Sequence, residues 1–161
     1  IVYGIKNAKK SIGIQIPYLI PPDSMSQALQ AAAKRGLDVR IMVSAKSDVP
    51  LVQLASQSFI KQILKSGVKV YMYEDGFLHS KLMVFDNSLT LIGSVNFDFR
   101  SFEHNFEVEA FIYDEGVAEK ALQIFVQDQH KSQIVSLRNW MKRPKRQKFM
   151  ESFMRLFAPL M

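Results

Sequence analysis

The stretch of residues 79–107 constrains the fold of this chain more than any other part of the sequence. Residues 77–85 are apolar and β-prone, which predicts a strand. Asp86-Asn87-Ser88 is a turn signal, and residues 89–92 then predict an antiparallel partner strand. A β-hairpin of this kind returns the chain to the end of the sheet at which its first strand began.

Polar residues mark the open end of this hairpin. His79 and Lys81 are two residues apart, so on a strand they point to the same face. The return strand brings Ser94 and Asn96 towards them, and Gly93, which has no side chain, permits a close approach of the backbone. An imidazole, a fixed cation, a hydroxyl and an amide donor are therefore predicted to meet at one place.

This set of groups suits phosphodiester chemistry. Such a reaction needs a nucleophile or proton carrier near pH 7, the part of His79, and donors for the charge on the phosphoryl oxygens. Lys81 supplies charge, and Ser94 and Asn96 supply neutral donors. Glu107 is expected to accept the second ring N–H of His79, which fixes its tautomer. A lone histidine on a strand is usually a core or surface residue, but six residue types at fixed spacing favour catalysis.

The pattern His79-x-Lys81-x4-Asp86-x6-Gly93-Ser94-x-Asn96 resembles the HxKx4Dx6GSxN motif of the phospholipase D superfamily. More narrowly, the segments GFLHSK, NFDFRSFEHNFE, IPYLIPPDSM and ESFMRLFAPLM are together similar to the carboxy-terminal half of bacterial cardiolipin synthases. The resemblance covers nearly the whole chain. It implies a phosphatidyltransferase that joins two phosphatidylglycerol molecules into cardiolipin, through a phosphohistidine intermediate, with release of glycerol.

Enzymes with this motif use two facing copies, so that one histidine attacks phosphorus and the other protonates the leaving oxygen. This chain contains one copy, since neither His104 nor His130 is followed by a lysine two residues later. We expect the second copy in a missing amino-terminal half or in a second identical chain across a two-fold axis.

The resemblance also bears on single residues. It implies that His79 acts chiefly as general acid and then base, although the residues themselves leave open whether it is the nucleophile. Asp86 matches a position that looks structural, at the hairpin turn. No metal or cofactor is expected, because Lys81 and the two neutral donors supply the positive field that a cation would otherwise provide.

Strands alternate with helices along the rest of the chain, which predicts an α/β fold with a mixed β-sheet flanked by helices on both faces. Further strands are predicted at 11–16, 37–44, 68–73 and 106–113, the last carrying Glu107. Helices are predicted at 1–10, at 51–66 before Gly67, at 115–130, and from Asp23 or Ser24 to Gly36 with a Ser24–Gln27 capping box. The buried side of the 115–130 helix is predicted to contain Val117, Ala121, Ile124 and Phe125, and 96–105 is predicted to be irregular.

Charge divides the chain into two parts. Residues 1–130, the predicted catalytic half-domain, carry 13 basic and 14 acidic residues, a net of −1, whereas residues 131–161 carry 8 and 1, a net of +7. This basic tail is predicted to end in an amphipathic helix with apolar residues at helical spacing. They are Phe149, Met150, Phe153, Met154, Phe157, Leu160 and Met161.

Two interpretations of the tail remain open. A basic stretch that leads into an amphipathic helix suits an anionic membrane surface, with Trp140 at the level of the headgroups. Alternatively, the apolar residues pack onto the catalytic domain as a last core helix. Nucleic acid is disfavoured as a partner, because no aromatic platform is interleaved with the basic run.

Composition limits the remaining choices. The 161 residues suffice for one domain, and the absence of cysteine excludes disulfides and a thiol nucleophile. No apolar run is long enough to span a bilayer, and the chain starts at Ile1 without a signal-like segment. We expect a fragment of a protein of the bacterial cell membrane, with its transmembrane segments elsewhere. The alternatives are a phospholipase D-type phosphodiesterase or nuclease that acts as a homodimer, and a degenerate half that only docks.

Overall fold

A computed structural model describes residues 1–160, and within them the strands form one seven-stranded sheet. The strands are β1 (Ser11–Ile16), β2 (Asp38–Ser44), β3 (Lys69–Tyr73), β4 (Leu82–Phe85), β5 (Leu89–Gly93), β6 (Glu109–Ile112) and β7 (Ser132–Ile134). Their order is β6-β5-β4-β1-β2-β3-β7. β1, β2 and β3 are mutually parallel, whereas the other neighbouring pairs are antiparallel, so the predicted mixed sheet is confirmed.

Helices cover both faces of this sheet, as predicted. They are α1 (Val2–Asn7), α2 (Asp23–Lys34), α3 (Pro50–Lys65), α4 (Phe99–Glu103), α5 (Glu115–His130), α6 (Leu137–Lys142), α7 (Lys145–Arg155) and a short 3-10 helix (Ala158–Leu160). α1, α2, α3 and α7 contribute to the larger core, whereas α5 packs on the opposite face.

Alternation along β1 separates the two cores. Ile12, Ile14 and Ile16 are fully buried in the larger core. Gly13 lies on the other face, where its backbone is close to the ring of Phe125 on α5. Gln15 also lies there and donates to the Asp128 carboxylate at 2.8 Å. The period of two that defines a strand therefore assigns each residue to one side of the sheet.

The buried stripe of α5 differs from the prediction. Phe125 and Ala121 are buried as expected, but Ile124 is 52% exposed and Ala118 is fully buried instead. Ala118 and Ala121 pack against Leu82 and Val84 of β4, and their small side chains allow the helix to lie close to the sheet. The prediction had favoured the larger aliphatic residue for the core.

The hairpin begins later than its sequence suggested. β4 starts at Leu82, and residues 77–81 before it are irregular rather than part of the strand. The Leu78 side chain is buried in the α5 core, and its backbone N–H donates to Ser44 Oγ at 3.2 Å. These contacts direct residues 77–81 across the ends of the strands, so these residues do not form the hydrogen bonds of a paired strand.

The start of α2 is the other local difference. The helix begins at Asp23 after Pro22, and no side chain caps it, so the predicted Ser24–Gln27 capping box is wrong. Proline fixes its own φ near the helical value, and its carbonyl already accepts from the N–H groups of Met25 and Ser26. The helix ends where expected, at Gly36 with φ +93°.

The basic tail continues the fold. β7 pairs with β3, and α7 then packs against α3. Arg143 donates from both guanidinium nitrogens to the buried Glu151 carboxylate, at 2.6 and 2.8 Å, and lies 3.3 Å from the centre of the Trp140 ring. This ion pair fixes the turn between α6 and α7. Within residues 1–160, none of the helices has the length and hydropathy that a bilayer span requires.

Candidate active site

Apart from Asp86, the polar residues of the motif lie at one end of the sheet. The parallel strands β1, β2 and β3 end there, β5 ends at Gly93, and β4 and β6 begin. In α/β sheets the carboxyl ends of parallel strands are the usual place for a ligand, because the loops that follow them are free to diverge. The irregular segments that leave these strand ends carry the candidate residues.

His79 and Lys81 are neighbours here although they are not on a strand. The Lys81 ammonium donates to the backbone carbonyl of His79 at 3.0 Å. Lys81 is only 9% exposed, whereas the His79 ring is exposed and stacks on Phe77, with ring centroids 5.4 Å apart. The structure therefore offers an accessible imidazole beside a sheltered cation.

Electrostatics link Lys81 to the rest of the site. Burial lowers the pKa of Lys81, and the carboxylates of Glu107, Asp98 and Asp48 partly offset this effect. These three acids come from different loops, so Lys81 lies where the loops converge. A cation that is held in place and partly desolvated interacts more strongly with an anion than a cation in water does.

Glu107 contacts Ser94 and not His79. Its carboxylate accepts from the Ser94 hydroxyl and, at 3.2 Å, from the side-chain amide of Asn105. No hydrogen bond to the His79 ring is found within residues 1–160, so the predicted Glu107–His79 contact is wrong for this structure. Hydrogen bonds, first that of Ser94, hold the pKa of Glu107 below its usual value, and the Lys81 charge acts in the same direction.

Backbone contacts fix Ser94 beside this acid. The Ser94 N–H donates to the Val108 carbonyl at 2.9 Å, and the Val108 N–H donates to Ser94 Oγ at 3.0 Å. Glu107 lies two residues before β6, which begins at Glu109, so the strand predicted at 106–113 is shorter at both ends. The Ser94–Glu107 pair is thus held by the reciprocal bonds just outside the sheet.

Asn96 lies at the start of a short helix that the sequence did not predict. Its backbone N–H donates to Ser101 Oγ at 3.2 Å, and Asp98 caps α4 by accepting the Ser101 N–H at 2.7 Å. The Asn96 side-chain oxygen is buried, and it has no hydrogen-bond partner in residues 1–160. Asp-x-x-Ser at 98–101 is the cap pattern that sequence inspection missed.

A cleft of about 430 Å³ opens at this point. Its lining includes the following residues: Tyr18, Asn96, Asp98, Arg100, Asn105 and Leu160. The loop after β1 reaches the cleft because Leu19 and Phe97 form an isolated parallel bridge, with the Ile20 N–H donating to Phe97 O at 2.8 Å. Amide, guanidinium and apolar groups therefore meet in one depression.

Tyr18 and Phe77 were not predicted as site residues. The Tyr18 hydroxyl donates to the Asp48 carboxylate, and burial together with this carboxylate raises the pKa of Tyr18 to about 12. The Tyr18 ring lies 6.2 Å from that of Phe77, which in turn stacks on His79. Both positions lie in segments that carry the family resemblance, IPYLIPPDSM and GFLHSK, but packing against the domain explains an aromatic residue there equally well.

Glu109 is a third residue that was not predicted for the site. Its carboxylate oxygens are buried, and neither makes a hydrogen bond of normal geometry within the described residues. Burial raises the pKa of Glu109, and the nearby Glu107 charge adds to the increase. A Cβ at Gly93 would lie 2.2 Å from a Glu109 carboxylate oxygen and 2.1 Å from the Val108 carbonyl, so only glycine fits opposite.

Asp86 lies at the far end of the hairpin, away from these groups. Its carboxylate accepts the backbone N–H groups of Lys9, Lys10 and Ser11 at 2.7–2.9 Å. Asp86 and Asn87 have φ of 52° and 55° and are the central residues of a turn that the Ser88 N–H closes by donating to the Phe85 carbonyl at 3.0 Å, within a three-residue loop between the paired Phe85 and Leu89. These bonds join the turn to the loop between α1 and β1.

Of the residues predicted for the site, the contacts join His79 to Lys81 and Glu107 to Ser94, and Lys81 experiences the field of Glu107. Asn96 lines the adjoining cleft, and Asp86 lies apart from all of them. Side chains that commonly bind metal ions do not gather in threes or more anywhere in residues 1–160. The polar donors here are an ammonium, a hydroxyl and an amide.

Comparison with known proteins gives a consistent result. Residues 1–129 match the family described as "Cardiolipin synthase, PLD-like domain". The chain is 45% identical over 157 residues to cardiolipin synthase 1 of Staphylococcus epidermidis, which covers 98% of this chain and 32% of that protein. It is 43% identical to cardiolipin synthase 2 of Bacillus anthracis, covering 98% and 30%. The chain thus spans about a third of the length of these relatives.

Solved structures extend the likeness at the level of the fold. Nuc of Salmonella typhimurium, a phospholipase D family member, has a TM-score of 0.73 at 24% identity, covering 83% of this chain and 87% of that one. Phosphatidylserine synthase of Haemophilus influenzae has a TM-score of 0.77 at 16% identity, covering 99% of this chain and 42% of that one. At these identities, the comparison concerns the arrangement of helices and strands alone.

Proposed function

We propose that this chain, which belongs to the phospholipase D superfamily as a cardiolipin synthase-type PLD-like domain, supplies one of the two catalytic motifs of a phosphatidyltransferase. The enzyme would join two phosphatidylglycerol molecules into cardiolipin and release glycerol. One observation carries the proposal. The sheltered Lys81 ammonium is hydrogen-bonded to the backbone of the exposed His79, and it interacts electrostatically with Glu107, which accepts a hydrogen bond from Ser94.

The proposed reaction has two displacements at phosphorus. In the first, the histidine of the other motif attacks the phosphorus of one phosphatidylglycerol, and the phosphorus–oxygen bond to its terminal glycerol breaks. The His79 imidazolium protonates the leaving glycerol oxygen, and a phosphohistidine remains. In the second, a glycerol hydroxyl of another phosphatidylglycerol loses its proton to His79 and attacks phosphorus. The phosphorus–nitrogen bond breaks, and both histidines return to their starting states.

The neighbouring groups support charge development in this scheme. Negative charge grows on the phosphoryl oxygens in the transition state, and Lys81 with the Asn96 amide would stabilise it. Ser94 is engaged by Glu107 in the isolated chain and would donate to phosphate only after that bond is exchanged. The Glu107 carboxylate, whose pKa its hydrogen-bond partners hold low, would instead favour the charged form of Lys81, with which it interacts electrostatically.

The second motif is the partner that this chemistry requires. We propose that it comes from another lobe of the complete protein or from a second copy of this chain, as the single HxKx4D motif demands. The lipid substrates and the basic tail favour a location at the bacterial cell membrane, with any transmembrane segments outside residues 1–160. Anionic phospholipids, phosphatidylglycerol and cardiolipin, are the proposed ligands.

The test uses the complete natural protein that carries this chain. It is incubated separately with phosphatidylglycerol vesicles and with plasmid DNA, and the lipids are resolved by mass spectrometry while free glycerol is assayed. Cardiolipin and glycerol in equal amounts are expected, and they should vanish in His79→Ala but persist in the control His130→Ala. Nicked DNA with unaltered lipid would replace the proposal with the nuclease alternative, and loss of neither substrate would leave a docking half.

A further inference from the structure

The outward face of α7 is apolar, which is the reverse of an ordinary surface helix. Phe149, Phe153 and Leu156 follow one another at i, i+4 and i+7, so they share one side of the helix. Phe149 is 69% exposed and Leu156 is 74% exposed. Of the apolar residues that the sequence predicted on one stripe, only Met154 is buried, and Met161 lies outside the described residues. The last-core-helix alternative therefore accounts for little of this stripe.

Contacts on the inner side fix this orientation. Met154 and Ala158 are buried against the domain, and Glu151 is held by Arg143 beneath the helix. The Arg155 guanidinium lies 4.2 Å from the centre of the Phe59 ring on α3. Rolling the helix to hide its apolar side would break the Arg143–Glu151 pair and bury a charge without a partner, which is strongly unfavourable.

Cations stand beside the apolar residues on the same outward side. Lys145 and Arg146 begin α7 and are exposed, one turn before Phe149. They belong to the segment 131–161, which carries the net charge of +7. Cations next to an exposed apolar helical face match a bilayer with anionic headgroups, which offers both opposite charge and an apolar interior.

Exposed apolar residues continue along the chain to the cleft that adjoins the candidate active site. Leu160, in the 3-10 helix after α7, is 77% exposed, and it lines the same cleft as Asn96 and Tyr18. The series of exposed apolar residues that follows Lys145 and Arg146 therefore extends along the chain to Leu160, at the depression where the amide and guanidinium groups meet.

We propose that the outward side of α7, with Leu160 at its end, is a docking surface for an anionic phospholipid bilayer. The docking places the cleft at the headgroup level, where a lipid phosphate reaches the site while its acyl chains stay in the membrane. This second consequence rests on the proposed function, whereas the docking itself does not. A protein partner would need apolar contact but would not require the adjoining cations.

The absence of cysteine makes a direct test available. Single-cysteine variants Leu156→Cys, Leu160→Cys and Ile124→Cys of the full 161-residue chain are labelled with the fluorophore NBD and mixed with vesicles. Ile124 is the matched control, since it is 52% exposed on α5, on the opposite face of the sheet. With vesicles of phosphatidylglycerol and phosphatidylcholine, a blue shift is expected at 156 and 160 and none at 124. No shift at 156, or equal shifts at all three positions, would overturn the proposal.

Sedimentation with the same vesicles measures the two contributions separately. Phe149→Asp with Leu156→Asp should weaken binding at least tenfold, and Lys145→Glu should weaken it about fivefold on phosphatidylglycerol vesicles alone. Ile124→Asp and Lys120→Glu, both on α5, are the controls and should bind like the wild type. Circular dichroism of each variant establishes that it is folded.

Two further outcomes separate this proposal from its rivals. His79→Ala should bind vesicles as well as the wild type, so failure of the catalytic proposal leaves docking untouched. If light scattering finds a wild-type dimer that Phe149→Asp converts to a monomer while vesicle binding stays unchanged, the surface joins copies of the chain. That result would overturn the proposal.

Discussion

The polar groups at the two ends of the β4–β5 hairpin differ in whether their hydrogen bonds are satisfied. At the turn, the Asp86 carboxylate accepts three backbone N–H groups and ties the hairpin to its neighbours. At the open end, the Asn96 side-chain oxygen and the Glu109 carboxylate are buried without hydrogen-bond partners in the described chain, and His79 faces solvent. One motif thus contains a satisfied end that stabilises the fold and an unsatisfied end that is available to a ligand or partner.

The largest effect expected from this contrast is on turnover. His79→Ala or Lys81→Met in the complete protein should lower the rate of cardiolipin formation by about 10³-fold, because general acid–base catalysis and charge stabilisation each contribute on this scale. The midpoint of thermal unfolding of His79→Ala should stay within about 2 °C of the wild type, since the His79 side chain is exposed. A variant that kept wild-type turnover would place the chemistry elsewhere.

At the turn end of the hairpin, a substitution should affect stability rather than turnover. Asp86→Ala should lower the free energy of unfolding by about 3 kcal/mol at pH 7, because three N–H groups lose a charged acceptor. Although burial acts to raise it, these N–H groups hold the pKa of Asp86 below the usual 3.8. The stabilisation is therefore complete above that value and is lost as the pH falls through the lower folded-state pKa.

Urea unfolding at pH 7 and pH 3 measures the Asp86 effect. The difference between wild type and Asp86→Ala should be smaller at pH 3, with Asn87→Gly, which keeps the positive φ of the turn, as the control. An equal loss at both pH values would show that the charge of Asp86 is not what stabilises the turn.

A substitution at Gly93 tests whether the open end of the hairpin also contributes to the stability of the fold. Gly93→Ala should destabilise the protein by about 2 kcal/mol, because its Cβ would overlap the Val108 carbonyl and the Glu109 carboxylate. Gly4→Ala is the control, since a Cβ there would meet only the Phe85 ring at 3.5 Å, an ordinary contact. Thermal unfolding of both variants measures this difference in stability, and equal midpoints would contradict the close approach of β6.

The smallest effect is expected at Glu109. Burial raises its folded-state pKa above the usual 4.5, so the folded protein binds an extra proton between those two values and becomes less stable as pH rises through them. Glu109→Gln should therefore raise the unfolding midpoint by ~2 °C at pH 7. The gain should disappear below pH 4.5. A gain that persisted at pH 4 would assign it to packing instead of charge.

Periodic patterns predicted the fold well. The hairpin, the parallel strands and the helix ends at Gly36 and Gly67 follow from apolar alternation and from residues that tolerate positive φ. The family was also predictable, because the HxKx4Dx6GSxN spacing is more specific than any single residue in it. Both kinds of signal depend on residues that are close together in the sequence, so they can be recognised without the structure.

The details of the site depend on contacts between distant segments. The Leu78–Ser44 bond that diverts residues 77–81 and the Ser94–Glu107 pair join positions that no local pattern relates. The same holds for α7, which packs on the domain through Met154 and through Arg155 over the Phe59 ring, while most of its apolar stripe stays exposed. A hydrophobic stripe predicts that one side of a helix is buried in apolar surroundings, but it does not indicate whether these are the protein core or a membrane.

The segment that carries His79 is anchored differently from the strand that follows it. Residues 77–81 lie outside the ladder of β4, and the bond from Leu78 to Ser44 Oγ holds their backbone at a point where the strands have already ended. Amide hydrogen exchange should therefore be faster across these residues than in β4, because opening them costs less than opening the sheet. In the proposed reaction, His79 would give a proton to one glycerol oxygen and take one from the next, and this local freedom would let its ring align with both.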